Sequence, residues 1–434
     1  MAIATVQIAS GLGHADPGAV APDGEARNYE VAPEGESIYG ESIVRGVGTG
    51  LGWVVRVIEA PFRGVVYVES RWKTLSKGRT LFVNAARTFG FVPTATYSSG
   101  FGVTLGAKAF LDNYLGQHEN VVLTAKTGGS VEQAYQALFD MRHIGGSPVY
   151  FTTRVRYETN DNLLFAGIGN GMDEKSRFSQ TRFLTVASTG VELGKETRFR
   201  IGGSAIYNDR SFGRAGSDSS EPSIEAVYDT AMIPGFDAGF RNLELTGDVS
   251  LDTRDNRGAT QNGTVIKAFA GGGSLVDSAD YMHYGAEASY FFTPFWPGRT
   301  FITRIALEGV RDKDKDMPFT ELPRLGGAGL LRGYRTDQFR DDLAAIGTLE
   351  YHYPIMAFLS GDLFVEAGKV ADNYDQLLGK GAWSNDWHAG YGGGLIVHGR
   401  DSVKLRIDVA YGDGLNFYFS TDVLDAFRKR ETEL

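Results

Sequence analysis

The 434-residue sequence contains no cysteine, few prolines and no long apolar run. Without cysteine, the chain can form neither disulfides nor thiolate metal sites. No stretch of about 18 apolar residues is present, so no transmembrane helix is predicted. The best candidate, Gly46 to Glu69, is interrupted by Arg56, Glu59 and Arg63. The formal net charge is −10, and this acidic balance offers no basic footprint for a nucleic-acid partner.

The N-terminal region lacks both a basic stretch and a sustained hydrophobic period. No secretory signal can therefore be identified, and residues 1–45 are predicted to be a flexible leader. Residues 46–87 are predicted to be a helical segment with an apolar side that includes Trp53, Val54 and Val57. Pro61 should interrupt that helix. The segment could lie on a membrane surface or form an ordinary core helix, and the pattern does not decide between the two.

Glycine and aromatic residues are abundant, with 57 glycines and 12% aromatic residues. This composition is typical of many strands joined by tight turns. From Phe89 onward, apolar and polar residues alternate, as in Val149–Tyr157, Leu243–Leu251, Phe301–Leu307 and Val403–Tyr411. Successive side chains of a strand point to opposite faces, so each segment has one apolar face and one polar face. The polar face includes Arg154, Arg156, Asp248 and Lys404.

The length and the charge of these segments favour a membrane sheet over a soluble one. The runs last roughly 9–11 residues, which is the length that a tilted strand needs to cross a bilayer, whereas soluble strands average about 5–6. We therefore predict an all-β fold, a closed antiparallel transmembrane β-barrel whose charged face lines a water-filled interior. At roughly 20 residues per strand and connection, it would have about 16 strands. The barrel is placed at residues 88–427, with a C-terminal tail at 428–434; a soluble all-β binding protein is the alternative.

Two short motifs combine a charged residue with glycine. The first is Leu331-Arg332-Gly333-Tyr334, and the second runs from Phe364 through Glu366 to Gly368. An arginine fork binds a carboxylate bidentately, and glycine lets one backbone approach another closely.

These motifs resemble those of the BamA/TamA-like outer-membrane barrel superfamily, of the bacterial surface antigen type. Its loop core reads Val/Ile-Arg-Gly-Phe/Tyr and its wall motif reads Phe-x-Asp-x-Gly. The resemblance implies that the loop folds back inside the barrel and that Arg332 meets Glu366, which stands where the family has aspartate. The predicted loop lock comprises Leu331, Arg332, Gly333, Tyr334, Phe364, Glu366 and Gly368.

Other segments resemble the family in the expected order and extend the likeness from about Gly46 to Phe427. They are Asp112–Gly116, Leu251–Asn256 followed by Gly263, Leu349–Pro354, and the final-strand signal Gly414–Phe419. In the family, a polar residue usually stands two positions before the glycine of the final-strand signal, and here that position is Gly412. The resemblance implies a seam between the first and last strands that can open sideways. Proline cannot donate to a strand ladder, so the seam is predicted at Pro93, Gly414, Phe417 and Phe419.

The resemblance implies a role in membrane-protein insertion or polypeptide translocation at the bacterial outer membrane. The expected partners are outer-membrane lipid and an unfolded protein client or a periplasmic protein. Members of this superfamily usually carry periplasmic POTRA domains before the barrel. Here only about 87 residues precede the predicted barrel, and they lack the alternating helix–strand pattern of such domains. POTRA domains are therefore expected to be absent. A passive pore, or a scaffold that anchors a partner complex, is the alternative function.

No enzymatic or cofactor motif stands out. Asp312–Asp316 does not fit a calcium loop, because Met317 replaces the required glycine and Pro323 the bidentate glutamate. The glycine-rich stretch Gly46–Gly52 does not fit a dinucleotide site, and no zinc-protease or nucleophile-elbow motif occurs. We therefore expect no catalytic site, no cofactor and no metal, and not an enzyme.

Overall fold

A computed structural model describes Asn84 and residues 88–420, apart from short gaps at 99–101, 118, 129–131, 172–173, 195–197, 218, 220, 257–259, 276–279, 295, 314–315, 357–358, 380–385 and 399–402. The predicted leader, nearly all of the predicted helical segment and the C-terminal tail lie outside these residues. None of the helices in the described part is long and apolar enough to cross a membrane.

Sixteen strands form one antiparallel sheet, in which neighbours along the chain are neighbours in space. Among the described residues, this order is interrupted only where residues 313–342 form a hairpin with its own two-stranded sheet. The strands are β1 Phe89–Ser98, β2 Gly102–Asp112, β3 Glu119–Thr127, β4 Glu132–Arg142, β5 Val149–Phe165, β6 Ser176–Leu193, β7 Arg198–Arg214, β8 Phe240–Asp252, β9 Gly263–Leu275, β10 Asp280–Phe292, β11 Thr300–Asp312, β12 Arg324–Leu325, β13 Phe339–Arg340, β14 Leu343–Met356, β15 Leu359–Ala371, β16 His388–His398, β17 Val403–Tyr411 and β18 Leu415–Ser420.

Helical structure within the described residues is minor. It consists of the five-residue helix α1, Tyr374–Leu378, and of short 3-10 turns at Ile144–Gly146, Ile224–Ala226 and Thr230–Met232. Asn373 caps α1, because its side chain accepts a hydrogen bond from the backbone N–H of Gln376. These pieces lie in connections between strands, so the fold is all-β, as predicted.

The predicted number of strands is confirmed, but their predicted length is too short for several of them. Strands β5, β6 and β7 have 17, 18 and 17 residues. The apolar alternation ends before these strands do, since β5 continues through the polar run Glu158–Asn162. Backbone pairing needs no apolar side chains, so hydrogen bonds extend strands that the hydrophobic pattern does not mark. The described part of the sheet does not show β1 joined to β18, and closure therefore remains a prediction.

The two faces of the sheet are inverted relative to those of a soluble protein. In β8, Glu244 and Asp248 are buried, whereas Leu243 and Leu245 are 52% and 62% exposed. The same holds in β15, where Glu366 is buried and Val365 is exposed. A soluble sheet buries its apolar face instead. We call the buried polar side the inner face and the exposed apolar side the outer face.

The polar residues on which the barrel prediction depends follow this inversion where they are described. Asp248 is buried on the inner face, and Arg156 shares that face with Glu158, to which it is salt-bridged. Val155 and Val249, their neighbours in sequence, are exposed on the outer face. The side chain of Lys404 lies outside the described residues.

The connections on the two edges of the sheet differ in length. One edge, the long-loop rim, carries the connections 166–175, 215–239, 313–342 and 372–387; the other, the short-turn rim, carries turns such as 143–148 and 293–299. On the long-loop rim, apolar residues of the connection 215–239 pack with aromatic residues from β5, β6 and the loop after β11. This cluster contains Phe165, Phe178, Ile224, Ile233, Phe236 and Phe319.

Candidate functional site

The hairpin between β11 and β14 carries the Leu-Arg-Gly-Tyr motif. Strands β12 and β13 pair through Arg324–Arg340 and Leu325–Phe339 and so close the base of an inner loop, residues 326–338. Gly326 and Gly327 begin this loop with φ of 113° and 103°. A Cβ at Gly326 would lie 2.0 Å from the carbonyl oxygen of Arg335. Only glycine fits this turn, which directs the next residues toward the inner face of the sheet.

Arg332 is the centre of the site and is 1% exposed. Its backbone N–H donates to Glu366 Oε2 at 2.6 Å and its Nε to Glu366 Oε1 at 2.9 Å. Its terminal nitrogens reach Glu350 Oε1 at 2.6 Å and Asp408 Oδ2 at 3.2 Å. One loop arginine thus joins carboxylates from β14, β15 and β17. Burial alone would lower the pKa of Arg332, but the charges of Glu366, Glu350 and Asp408 raise that pKa well above its usual value.

A second arginine supports the same carboxylates from the wall. Arg406 of β17 donates to Asp408 at 2.9 Å and to Glu350 at 3.2 Å, and it also pairs with Asp362 of β15. We call the six residues Arg332, Arg406, Glu350, Asp362, Glu366 and Asp408 the lock cluster. Two guanidinium groups share four carboxylates there, and pairing of every carboxylate with a guanidinium is the condition under which such charges can be buried.

Glu350, His352 and Asp362 lie close enough together to be considered as metal ligands. However, Arg406 donates hydrogen bonds to both carboxylates, and His352 contacts Glu350 at 2.9 Å. A divalent cation would have to displace a paired guanidinium. Glu350 and Asp362 therefore act as members of the lock cluster, in which arginine supplies the positive charge.

Phe364 and Gly368 of β15 form the surface on which the inner loop lies. The guanidinium carbon of Arg332 sits 3.4 Å from the centre of the Phe364 ring. A Cβ at Gly368 would lie 3.0 Å from Leu325 and 3.5 Å from Leu331. Leu331 is fully buried in an apolar cluster with Leu325, Tyr334 and wall residues such as Val370. Its φ of 70° is unfavourable for leucine by about 1–2 kcal/mol, so side-chain packing must hold it there.

Gly333 and Tyr334 bring the inner loop against the last strands. A Cβ at Gly333 would lie 2.7 Å from the Tyr411 carbonyl oxygen and 3.0 Å from the Cα atoms of Gly390 and Gly412. The Gly333 carbonyl accepts hydrogen bonds from Asp413 N at 3.2 Å and Asn416 Nδ2 at 2.9 Å. The Tyr334 carbonyl accepts one from the Tyr418 hydroxyl. The loop is thus bonded to the β17–β18 hairpin.

Neighbouring connections on the long-loop rim hold the base of the inner loop. The guanidinium carbon of Arg340 lies 5.2 Å and 5.4 Å from the ring centres of Phe165 and Phe319. Its carbonyl accepts a hydrogen bond from Gly169 N at 2.7 Å. Arg335 pairs with Glu221. Contacts from two other connections, 166–175 and 215–239, therefore converge on this loop and its base.

The structure brings all seven predicted lock residues together, but it distributes the predicted seam residues over both ends of the sheet. Pro93 lies in β1, and its side chain is outside the described residues. Gly414 precedes β18, and Phe417 is 52% exposed on the outer face. Phe419 pairs with Ile407 across the ladder, and its side chain is not described.

The sequence motifs did not predict four members of the lock cluster. Glu350 stood in a recognised motif without an assigned partner, and Arg406, Asp408 and Asp362 stood in ordinary alternating strands. The available signal was the side on which they point, since all four occupy inward positions, on β14, β15 and β17. The sequence could not show which inward charges lie at the same height.

Comparisons with known proteins agree with this geometry. A family model described as the Omp85 superfamily domain matches residues 113–421. The structure of BamA from Haemophilus ducreyi lacking POTRA domains 1–3 matches with a TM-score of 0.53 and 15% identity, over 76% of this chain and 69% of that one. CdiB from Escherichia coli matches with a TM-score of 0.52 and 9% identity, over 77% and 60%. At these identities the structural likeness establishes the fold alone. No curated protein matches the chain.

Proposed function

The chain belongs to the Omp85 superfamily, and we propose that it is a closed outer-membrane barrel that inserts or translocates polypeptides, with the inner loop held inside. The observation that carries the proposal is the loop arginine, Arg332, buried among carboxylates of three strands on the inner face. The mechanism would be passive, since Arg332 and Glu366 hold the loop and perform no chemistry. Outer-membrane location follows from the family, whose members are outer-membrane barrels.

The outer face supports contact with lipid. Exposed apolar side chains recur on successive strands, among them Ile201, Leu245, Ile305, Leu349 and Leu363. Near the short-turn rim, outward aromatic rings form a continuous row across β10, β11 and β14. Tyr290, Phe292, Phe301 and Tyr351 have successive centroid distances of 5.5, 5.4 and 4.8 Å. Aromatic girdles of this kind mark the membrane–water interface of transmembrane barrels.

Closure follows from the cost of bare strand edges in lipid. In the sixteen-stranded sheet, every strand except β1 and β18 has neighbours on both sides, so β1 and β18 are the two ends of the order. An unpaired edge inside a bilayer costs several kcal/mol for each unsatisfied backbone group. Joining β1 to β18 removes that cost. The seam would be weak, because β18 has six residues and β1 contains Pro93, which has no N–H to donate.

In this proposal the inner loop sets the position of the last hairpin. The loop bonds to Asp413, Asn416 and Tyr418, which lie at and beyond the β17–β18 turn. An incoming strand could pair with a freed edge at the seam while the loop holds the remaining wall. A passive pore is less well supported, because several connections pack together over the inner loop at the long-loop rim.

Reconstitution into liposomes tests the proposal directly. Folding of an unfolded outer-membrane client is measured with and without the protein, and with Arg332→Ala. Stimulation that is lost in the variant is expected. A steady, ion-selective conductance in planar bilayers, unchanged by Arg332→Ala and without client folding, would indicate a pore instead. Since the chain has no cysteine, pairs introduced along β1 and at Phe417→Cys can test whether the seam is closed.

A further inference from the structure

A pocket rich in arginine lies on the inner face at the short-turn rim, far along the strands from the long-loop rim. Its volume is about 210 Å³, and its walls come from the ends of β4, β6, β7, β8 and β9. The cations around it are Arg142, Arg198, Arg200, Arg254 and Lys267. We call this feature the arginine pocket. Five cations in one place are notable in a chain whose net charge is −10.

The position of Arg200 is prepared by a buried tyrosine. The guanidinium carbon of Arg200 lies 4.4 Å from the ring centre of Tyr150, and its Nε donates to the Tyr150 hydroxyl at 2.9 Å. The Tyr150 ring crosses the neighbouring strands over two glycines. A Cβ at Gly190 or Gly202 would lie 2.7 Å or 2.2 Å from the tyrosine hydroxyl. Sequence and packing thus fix a guanidinium group before any ligand arrives.

The pocket keeps hydrogen-bond donors available. In the described part of the chain, Arg200 uses only Nε, and its two terminal nitrogens have no hydrogen-bond partner. Its side chain is 34% exposed. Arg142 likewise uses Nε, toward Asp140 at 3.0 Å, and is 46% exposed. Two partly hydrated guanidinium groups therefore present their outer edges to the pocket.

The carboxylates that line the pocket are already engaged. Arg254 donates two hydrogen bonds to Asp252, at 2.9 and 2.8 Å. Glu192 lies 3.5 Å from Arg198. Arg142 and Arg200 have acids of their own, since Nε of Arg142 pairs with Asp140 at 3.0 Å and Nε of Arg200 lies 3.9 Å from Asp248. The donors that remain for a further anion are therefore the terminal nitrogens of these two arginines. Guanidinium groups bind carboxylates in a planar, bidentate manner.

The size and location of the arginine pocket limit the classes of ligand that it can bind. Small-molecule sites usually have volumes of about 300–1,000 Å³, so this space suits one acidic group better than a whole metabolite. Lipids surround the outer face, with acyl chains on its apolar band and headgroups at its aromatic borders, whereas this pocket is on the polar inner face. An extended polypeptide inside the interior can place a single aspartate or glutamate side chain here.

We propose that the arginine pocket binds an aspartate or glutamate side chain of an extended polypeptide that enters from the short-turn rim. This inference rests on the proposed function, because it names the chemistry of the substrate segment. Short turns are periplasmic in outer-membrane barrels, so the pocket lies at the entry side for a periplasmic client.

Binding of a labelled peptide to the full-length protein in detergent micelles tests this proposal. The probe is a fluorescent peptide with glutamates at alternate positions, compared with the same peptide carrying glutamines. Fluorescence anisotropy should show binding of the glutamate peptide only. In the Arg142→Gln/Arg200→Gln double variant its affinity should fall roughly tenfold, since two charge-assisted contacts are lost.

Arg214→Gln is the matched control, because Arg214 lies on the same β7 strand at the opposite rim and its side chain is 83% exposed. This variant should bind the glutamate peptide as the unmodified protein does. Equal binding of the two peptides, or an unchanged affinity in the double variant, would overturn the proposal. Displacement of the peptide by inorganic phosphate at concentrations below the peptide Kd would reassign the pocket to phosphate and likewise overturn it.

The peptide assay and the client-folding assay separate the two proposals. If the peptide binds through Arg142 and Arg200 but no client folding is stimulated, the pocket stands and the proposed function fails. If folding is stimulated equally by the double variant and no peptide binds, the proposed function stands and the pocket assignment fails.

Discussion

Arg332 and Arg200 both lie over an aromatic ring on the inner face, yet their surroundings differ completely. Arg332 rests on Phe364, is 1% exposed and donates to carboxylates of three strands. Arg200 rests on Tyr150, is 34% exposed and donates through one nitrogen within the described residues. Arg332, whose hydrogen-bond donors are engaged, holds the inner loop to the wall. Arg200 is held in place through Nε, so its terminal nitrogens are available to bind a ligand.

Removing Arg332 should have the largest effect. Arg332→Ala leaves Glu366 buried without its cation and leaves Arg406 alone to neutralise Glu350 and Asp408. The free energy of unfolding should therefore fall by about 3–5 kcal/mol. Denaturant unfolding in detergent measures this change, and limited proteolysis within residues 326–338 should become faster.

Arg335→Ala is the control for that measurement. Arg335 belongs to the same loop, but its side chain is 42% exposed in its pair with Glu221. An exposed pair contributes about 0–1 kcal/mol. If Arg332→Ala proved no more destabilising than Arg335→Ala, the lock cluster would not hold the loop.

A methyl group at Gly333 should have the next largest effect on stability. Gly333→Ala places Cβ 2.7 Å from the Tyr411 carbonyl oxygen, a backbone atom that cannot move independently. Overpacking of this kind costs about 1–3 kcal/mol. Gly329→Ala in the same loop is the control, because a Cβ there meets nothing within 4 Å. Equal unfolding midpoints for the two variants would contradict the close approach of the loop to the wall.

A methyl group at Gly202, beside the arginine pocket, should affect peptide binding more than protein stability. Gly202→Ala directs Cβ at the Tyr150 hydroxyl, which is the end of a side chain and can shift. Displacing Tyr150 also displaces Arg200, so affinity for the glutamate peptide should fall about threefold to tenfold. Gly247→Ala on β8, with its nearest atom at 3.9 Å, should leave affinity unchanged. A large loss of stability with unaltered peptide affinity would show that Tyr150 does not position Arg200.

Raising the salt concentration should have the smallest effect of the changes proposed, and it should act differently on the two arginine sites. Raising ionic strength from about 0.1 to about 1 M shortens the Debye length from about 10 to about 3 Å, and partly exposed charges are screened most. Glutamate-peptide affinity should therefore fall several-fold. The stability difference between the unmodified protein and Arg332→Ala should barely change, because the lock cluster is buried. Salt-independent peptide binding would argue against an arginine–carboxylate contact.

Much of the fold was predictable because strand periodicity is local. The alternation around Leu243–Leu251 marked both faces of β8 correctly, and the length of the barrel region, at roughly 20 residues per strand and connection, gave the number of strands. Strand ends were less predictable. Polar residues such as Asn160 continue the ladder of β5 through backbone pairing, to which the hydrophobic pattern is blind.

The candidate site was predictable only where a short motif carried it. Arg332 and Glu366 could be paired because each stands in a recognisable sequence context. Arg406 and Asp408 could not be assigned, since charged residues at inward strand positions are common throughout the chain. The same applies to Tyr150 and Arg200, which are 50 residues apart and meet across two intervening glycines.

The amino-acid sequence by itself determined which face of each strand is apolar and where a glycine-rich hairpin with a central arginine occurs, because both depend on neighbours within a few residues. The tertiary structure alone decided which inward charges share one height on adjacent strands, and therefore which arginine is fully satisfied and which keeps donors available. Strand register and side-chain reach across several strands set those distances, and no local pattern encodes them.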